Sequence, residues 1–193
     1  MKKILLMVAV AIMTATSVNA QTAGKWSFKG RAGFNMSTVT NDDDAKWKFG
    51  LSLSSGVDYM LSDQMAVSLE LDRNSLGSKS EMLDVNSTLD YIHVPLLAKF
   101  YLKPWLALEA GPQIGFLVSA KQDGVSFKDT CKKTEFSIPV GLSFEIPARK
   151  SDWYNCVVVD LRYHLGLTKV NDYGTDSYCN RAIILTLGYK FGL

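Results

Sequence analysis

The chain has 193 residues, with 21 Lys and Arg against 19 Asp and Glu and a formal net charge of +2. That length suits a single domain, and so even a charge balance gives no support to nucleic-acid binding, which needs a basic face. The three cysteines, Cys131, Cys156 and Cys179, match no zinc spacing, and no cofactor is implied.

The N-terminus reads as a leader. Lys2 and Lys3 precede an apolar run over residues 4–13, and Val18, Asn19 and Ala20 supply the small-residue pattern of a signal-peptidase site. The run is shorter than the roughly 20 residues a membrane helix requires. A cleaved signal peptide over residues 1–20 and a mature domain over 21–193 are predicted. Removing Lys2 and Lys3 leaves 19 basic residues against 19 acidic ones. An exported chain permits disulfides.

Eight segments then alternate with period two, the signature of strands whose two faces meet different surroundings. The first sets Trp26, Phe28, Ala32, Phe34 and Met36 against Ser27, Lys29, Arg31, Gly33 and Asn35. The second sets Trp47, Phe49, Leu51, Leu53, Val57 and Tyr59 against Lys48, Gly50, Ser52, Ser54, Gly56 and Asp58. In the third, Met65, Val67, Leu69 and Leu71 oppose Ala66, Ser68, Glu70 and Asp72. The fourth runs Ile92, Val94, Leu96, Ala98, Phe100 and Leu102 against Tyr91, His93, Pro95, Leu97, Lys99 and Tyr101. The fifth turns Leu106, Leu108, Ala110, Ile114, Phe116 and Val118 away from Glu109, Gly111, Gln113, Gly115 and Ser119. The sixth opposes Phe136, Ile138, Val140, Leu142, Phe144 and Ile146 to Glu135, Ser137, Pro139, Gly141, Ser143 and Glu145. The seventh opposes Val157, Val159, Leu161, Tyr163, Leu165 and Leu167 to Cys156, Val158, Asp160, Arg162, His164 and Gly166. The last, IILTLGYKFGL, sets Ile183, Leu185, Leu187, Tyr189, Phe191 and Leu193 against Ile184, Thr186, Gly188, Lys190 and Gly192. Linkers at 61–64, 103–104 and 147–153 are short, whereas 38–46, 77–88, 121–133 and 168–180 are longer and polar. Short turns at one end and long loops at the other describe an outer-membrane barrel.

Periodicity does not say which face is outside. A soluble lipocalin-like carrier would alternate in the same way with its apolar face inward, and Gly24-Lys25-Trp26 even resembles the lipocalin entry motif. Three observations turn the apolar face to lipid. The polar register is rich in Gly and Ser, which suit the narrow lumen of eight strands better than a water-facing surface. The apolar register is almost free of charge, as it must be where a midplane Lys or Arg costs about 2–4 kcal/mol; the exceptions, Arg73 and Arg181, are placed at loop ends. Trp26, Trp47, Tyr59, Phe100, Trp105, Phe136, Tyr189 and Phe191 fall near strand ends, where interfacial girdles form. The fold class is therefore all-β: an eight-stranded antiparallel up-and-down transmembrane β-barrel with short periplasmic turns and longer extracellular loops. Pro95, Pro112 and Pro139 lie inside strands, where bulges are expected.

With LDYIHVPLLAKFYL (89–102), EAGPQIGFLVSAK (109–121) and the terminal LGYKF, the chain resembles the small outer-membrane β-barrel proteins of Bacteroidota-type bacteria. These are labelled porin-family or PorT-like and compared with the OmpA and OmpX barrels. The resemblance covers residues 21–193. It implies residence in the cell outer membrane, contact with its lipid and lipopolysaccharide, and passage through the barrel-assembly machinery. It assigns no activity.

On this reading Lys29, Arg31, Lys48, Lys99, Arg162 and Lys190 face inward, opposite Asp58, Glu70, Asp72, Asp90, Glu109, Glu135, Glu145 and Asp160. Arg31, Glu70, Asp72, Lys99, Glu109, Asp160 and Arg162 are the candidate lumen network. Such a set is either an ion-pair network filling a closed core or the lining of an ion path. The only histidines, His93 and His164, point inward near the outer end, and no Ser-His-Asp set is assembled around them, so no enzyme is read. Cys131 and Cys179 fall in two long loops at one end and are a candidate disulfide; Cys156 lies at the other end. Arg73 and Arg181 are candidates for lipopolysaccharide contact. The reading is an integral outer-membrane barrel with a plugged lumen, acting as a structural or surface-interaction protein through its loops. The alternatives are a narrow channel for ions or very small solutes and the soluble carrier.

Overall fold

Each alternating segment forms a strand, and the strands close on themselves. The computed structural model describes residues 23–40, 45–80, 85–123, 125–148, 155–169 and 178–193; the predicted leader lies outside them. The strands are β1 (Trp26–Val39), β2 (Ala45–Lys46), β3 (Lys48–Ser62), β4 (Met65–Ser80), β5 (Val85–Lys103) and β6 (Leu106–Ala110). They continue with β7 (Gln113–Gln122), β8 (Val125–Ser126), β9 (Thr134–Pro147), β10 (Cys156–Gly166) and β11 (Asn180–Gly192). One 3-10 turn, Lys128–Thr130, follows β8. Antiparallel pairing runs β1, β3, β4, β5, then β6 with β7 as one broken stave, then β9, β10 and β11. Pairing of β1 with β11, from Ser27↔Gly192 to Val39↔Asn180, closes the ring. The short β2 continues the ladder of β3 with β4, and β8 folds back on β7.

The faces fall as the parity predicts. Exposed on the outside are Trp26, Phe34, Phe49, Leu51, Leu69, Phe136, Leu185 and Phe191, among many others. A water-soluble monomer rarely exposes so continuous an apolar surface, so this band is a lipid contact. Aromatic pairs mark its lower rim: Trp26 with Tyr59 at 4.7 Å between ring centroids, and Tyr189 with Phe191 at 4.6 Å.

Inside, the period-two register explains why glycine is so frequent. Neighbouring strands place Gly56 opposite Glu70, Gly141 opposite Arg162 and Gly188 opposite Arg31. A Cβ added at these glycines would stand 2.7 Å from Glu70 Cγ, 2.8 Å from Arg162 Cγ and 2.6 Å from Arg31 Cγ. Each large charged stem lies over a neighbour with no side chain. Small and large residues alternate around the wall because the lumen has no other room.

Three expectations are corrected. The prolines produce no register shift: the pairings Ala98↔Ala110 and Pro95↔Gln113 keep one register across Gly111 and Pro112, and Pro139 pairs with His164 inside a continuous ladder. A proline removes a donor without requiring an extra residue, so Pro112 interrupts a stave and Pro95 and Pro139 remain within theirs. The irregularities lie instead at Met60/Ser62, Tyr101/Lys103 and Asp90/Tyr91. At the last of these Tyr91 pairs with Leu117 and Asp90 with Ser119, so Val118 is the extra residue. Beyond it Ala120, not Ser119, is buried. Asp90 stands on the outward register between buried Leu89 and Tyr91, bonded to Ser75 rather than to the lumen cations. Finally, β4 and β5 extend through much of the linker predicted at 77–88.

Because Gly141 faces the Arg162 stem, Gly141→Val is expected to destabilise the barrel by about 1–3 kcal/mol. A lower urea midpoint for loss of the heat-shifted gel band in micelles checks this.

Candidate functional site

Eight staves bring eight sets of inward side chains into one narrow lumen. All seven residues of the predicted network face it and are buried. Glu70 is its hub. It receives Lys29 at 2.6 Å, Arg31 at 2.5 Å, and Arg162 through Nη1 at 2.6 Å and Nη2 at 3.0 Å. Arg162 also bonds Glu109, meets Asp160 at 3.2 Å and lies 3.6 Å from Asp72. Arg31 bonds Asp160 and donates to Ser54 Oγ at 2.7 Å.

Below the hub the network continues toward the periplasmic end. Lys29 pairs with Asp58 at 2.8 Å, Lys99 reaches Asp58 at 3.5 Å and Glu145 at 2.7 Å, and Lys190 bonds Glu145. Tyr101 donates its hydroxyl to Glu145 at 3.0 Å. These contacts use β1, β3, β4, β5, β6, β9, β10 and β11, one from every stave. The sequence pointed to the inward set; Lys29, Asp58, Glu145 and Lys190 belong to the same continuous network as the seven.

Above the hub the chemistry changes. His93 Nε2 lies 2.9 Å from Glu135 Oε2, and His164 Nε2 lies 3.2 Å from Glu135 Oε1. Asn74 Nδ2 donates to His93 Nδ1 at 3.1 Å, and Gln113 Nε2 to His164 Nδ1 at 3.2 Å. With the two amides in this orientation Nδ1 accepts on each ring and Nε2 is the atom turned to the shared carboxylate. Asn180 Nδ2 adds a third donor at 3.1 Å. The sequence placed both histidines inward but not on a common partner.

Apolar layers lie at both ends. Met60, Ala66, Tyr101 and Ala107 pack below the charges. Leu76, Leu89, Tyr91, Leu117, Ala120, Cys131, Ala182 and Ile184 pack above the histidines, with Phe127 against them.

The cysteines are not paired as predicted. No disulfide joins Cys131 to Cys179: Cys131 is buried in the outer apolar layer, and Cys156 is buried near the other end. Cys179 is half-buried beside the end of β1, where its amide donates to Thr40 Oγ1 at 3.1 Å. Burial turns Cys131 toward the lumen and pushes its thiol pKa up. Arg73 and Arg181 do face outward, but within strands: Arg73 follows Leu71 and precedes Ser75, and Arg181 precedes Ile183, so each ends the apolar register of its stave. On the outer wall a groove of about 700 Å³ beside Arg73 is lined by Ala32, Leu53, Leu71, Ile92 and Leu187.

Removing Glu70 would strand Lys29, Arg31 and Arg162 without their common partner. Glu70→Ala is therefore expected to lose about 3–5 kcal/mol, whereas Arg73→Ala, on the outer face, is expected to shift stability by less than about 1 kcal/mol. Denaturant titration of the two variants in micelles compares them directly.

Comparison with known proteins agrees with this geometry. No curated protein matches the chain. Among solved structures, Ail, the attachment invasion locus protein of Yersinia pestis, aligns at a TM-score of 0.51 and 20% identity over 88% of this chain and 100% of its own. Neisserial surface protein A aligns at 0.53 and 13%, covering 85% of this chain and 96% of its own. OprG from Pseudomonas aeruginosa aligns at 0.54 and 13%, covering 92% and 99%. At these identities the likeness is one of fold. The profile of the outer membrane protein beta-barrel domain matches residues 8–191, and the chain belongs to that family of small integral outer-membrane barrels.

Proposed function

We propose that this protein is a non-conducting barrel that works as a scaffold and presents its long loops to partners at the cell surface. The observation that carries this reading is the lumen. A network joined to every stave crosses it, between apolar layers at each end. A conduction path needs water and mobile counter-ions beside its charges; here the charges are bonded to each other and buried. No catalytic role is assigned to the lumen groups.

The third long loop, residues 121–133, carries Lys121, Lys128, Lys132 and Lys133 against Asp123 and Asp129. This excess of positive charge favours an anionic surface polymer. Ail has been solved in complex with the heparin analogue sucrose octasulfate, which makes sulfated glycans a concrete probe for this chain. Arg73 and Arg181, at the upper end of the lipid-facing register, suit the phosphates of lipopolysaccharide in the outer leaflet.

Two measurements test the proposal. Barrels refolded into planar bilayers, with folding checked by the gel shift, are expected to pass no discrete current steps. Reproducible steps would make the ionic network a selectivity region and overturn the scaffold reading. Micelle-held protein is expected to bind heparin in a salt-dependent manner, and Lys128→Ala with Lys132→Ala and Lys133→Ala to weaken that binding. Unchanged binding in the triple variant would remove the third loop from the contact.

A further inference from the structure

We propose that His93, Glu135 and His164 form a binding site inside the lumen for a transition-metal dication of the zinc class. Their ligand atoms already converge: one nitrogen from each imidazole and one carboxylate oxygen all lie within 4.8 Å of one another. Tetrahedral zinc with ligands at about 2.0–2.2 Å needs them roughly 3.4 Å apart. The imidazole nitrogens lie 2.9 and 3.2 Å from the two oxygens of Glu135, near that value, and rotation of the carboxylate and the rings brings both nitrogens around one oxygen.

Charge gives an independent reason. Among the described residues the buried set holds seven carboxylates and six Lys or Arg side chains. Asp58, Glu70, Asp72, Glu109, Glu145 and Asp160 each have a Lys or Arg within 4 Å. Among the described residues Glu135 has no Lys or Arg paired with it and is bonded instead to the two histidines and Asn180. The remaining cation, Lys48, is spent at the outer rim on Ser87 and Thr88. A buried carboxylate with no Lys or Arg beside it is costly, and a dication supplies the counter-charge.

The surroundings fit the same occupant. Asn74 and Gln113 hold the Nδ1 atoms, and the same amides turned over would accept from Nδ1–H, the tautomer in which Nε2 is free to ligate. Asn180 Oδ1 is buried beside the cluster with no hydrogen-bond partner. Space has been cleared as well: a Cβ on Gly115 would stand 2.4 Å from His93 Cδ2, and one on Gly166 would stand 3.0 Å from Glu135 Oε1. Two imidazoles and one carboxylate suit zinc, cobalt or nickel, whereas calcium and magnesium want an all-oxygen shell. The outer apolar layer lies over the site, so loading belongs to folding, before that layer closes.

The test is to refold the protein in micelles with cobalt as the spectroscopic probe, then strip free and surface-bound ions with a chelating resin. One cobalt per folded barrel is expected, with visible ligand-field bands, no thiolate charge-transfer band, and a raised urea midpoint. His164→Gln is expected to abolish retention, and Asn74→Ala to weaken it about 10–100-fold. Folded wild-type barrel that retains no cobalt overturns the site. So does equal retention by folded His164→Gln, or a thiolate band pointing to the cysteines. Should His164→Gln not fold, X-ray absorption of the wild-type cobalt form decides: imidazole scattering from two ligands supports the site, and its absence overturns it.

Discussion

Closure of the sheet is the constraint from which the rest follows. Once β11 pairs with β1, the sheet has no free edge strand for lipid to meet. Eight staves fix a lumen only wide enough for side chains. Every inward residue must then fit against those from the opposite wall. Long charged stems are admitted only where a neighbouring stave gives up its own side chain, and Gly56, Gly141 and Gly188 do so opposite Glu70, Arg162 and Arg31.

A narrow lumen also settles how the charges behave. In a wide barrel Arg31 and Arg162 would face water; here Glu70, Asp160 and Glu109 are their solvent. The desolvation of the central ions Glu70, Arg31 and Arg162 is offset by several partners rather than one, which is the arrangement a buried charge needs. Single losses are costly because each leaves several partners unmatched. The network is thus a cross-brace linking staves distant in sequence, as Arg162 and Glu70 are, 92 residues apart. Variation without structural penalty is left to the loops, and that is where a binding role is placed.

How much of this was legible in the sequence follows from what period two encodes. Parity assigned faces correctly from Trp26 to Phe191 because one residue of slip inverts a whole strand, so a long alternating run has one consistent reading. It placed the seven network residues and both histidines inside. It did not reveal who touches whom, since partners such as His93 and Glu135 are set by the stagger of separate staves. Parity also fails where a residue is inserted: Val118 shifts Ser119 and Ala120, and Asp90 was assigned inward against its own strand's parity, since Tyr91 and His93 beside it face the lumen. The cysteine pairing was inferred from loops sharing one end of the barrel, but a common end does not fix which residues meet. Cys131 turned inward to apolar partners while Cys179 stayed beside Thr40.

The prolines, which the sequence marked as exceptions, connect the wall to the lumen. Leu96 donates its amide to the Pro112 carbonyl at 3.0 Å and Gly111 to that of Pro139 at 3.3 Å, so the stave of β6 and β7 is broken between the flanking strands. Pro95, without a donor, has no cross-strand partner in β4, whose pairing with β5 skips from Leu69↔Leu96 to Asp72↔His93. Three prolines thus withhold amide donors from one arc of the wall. Side chains cross that same arc. Lys99 reaches from β5 to Glu145 on β9 below the break, His93 reaches from β5 to Glu135 on β9 above it, and Glu109 and Gln113 tie the broken stave to Arg162 and His164 on β10. Bonds through the lumen thus brace the arc of the wall where the prolines withhold donors.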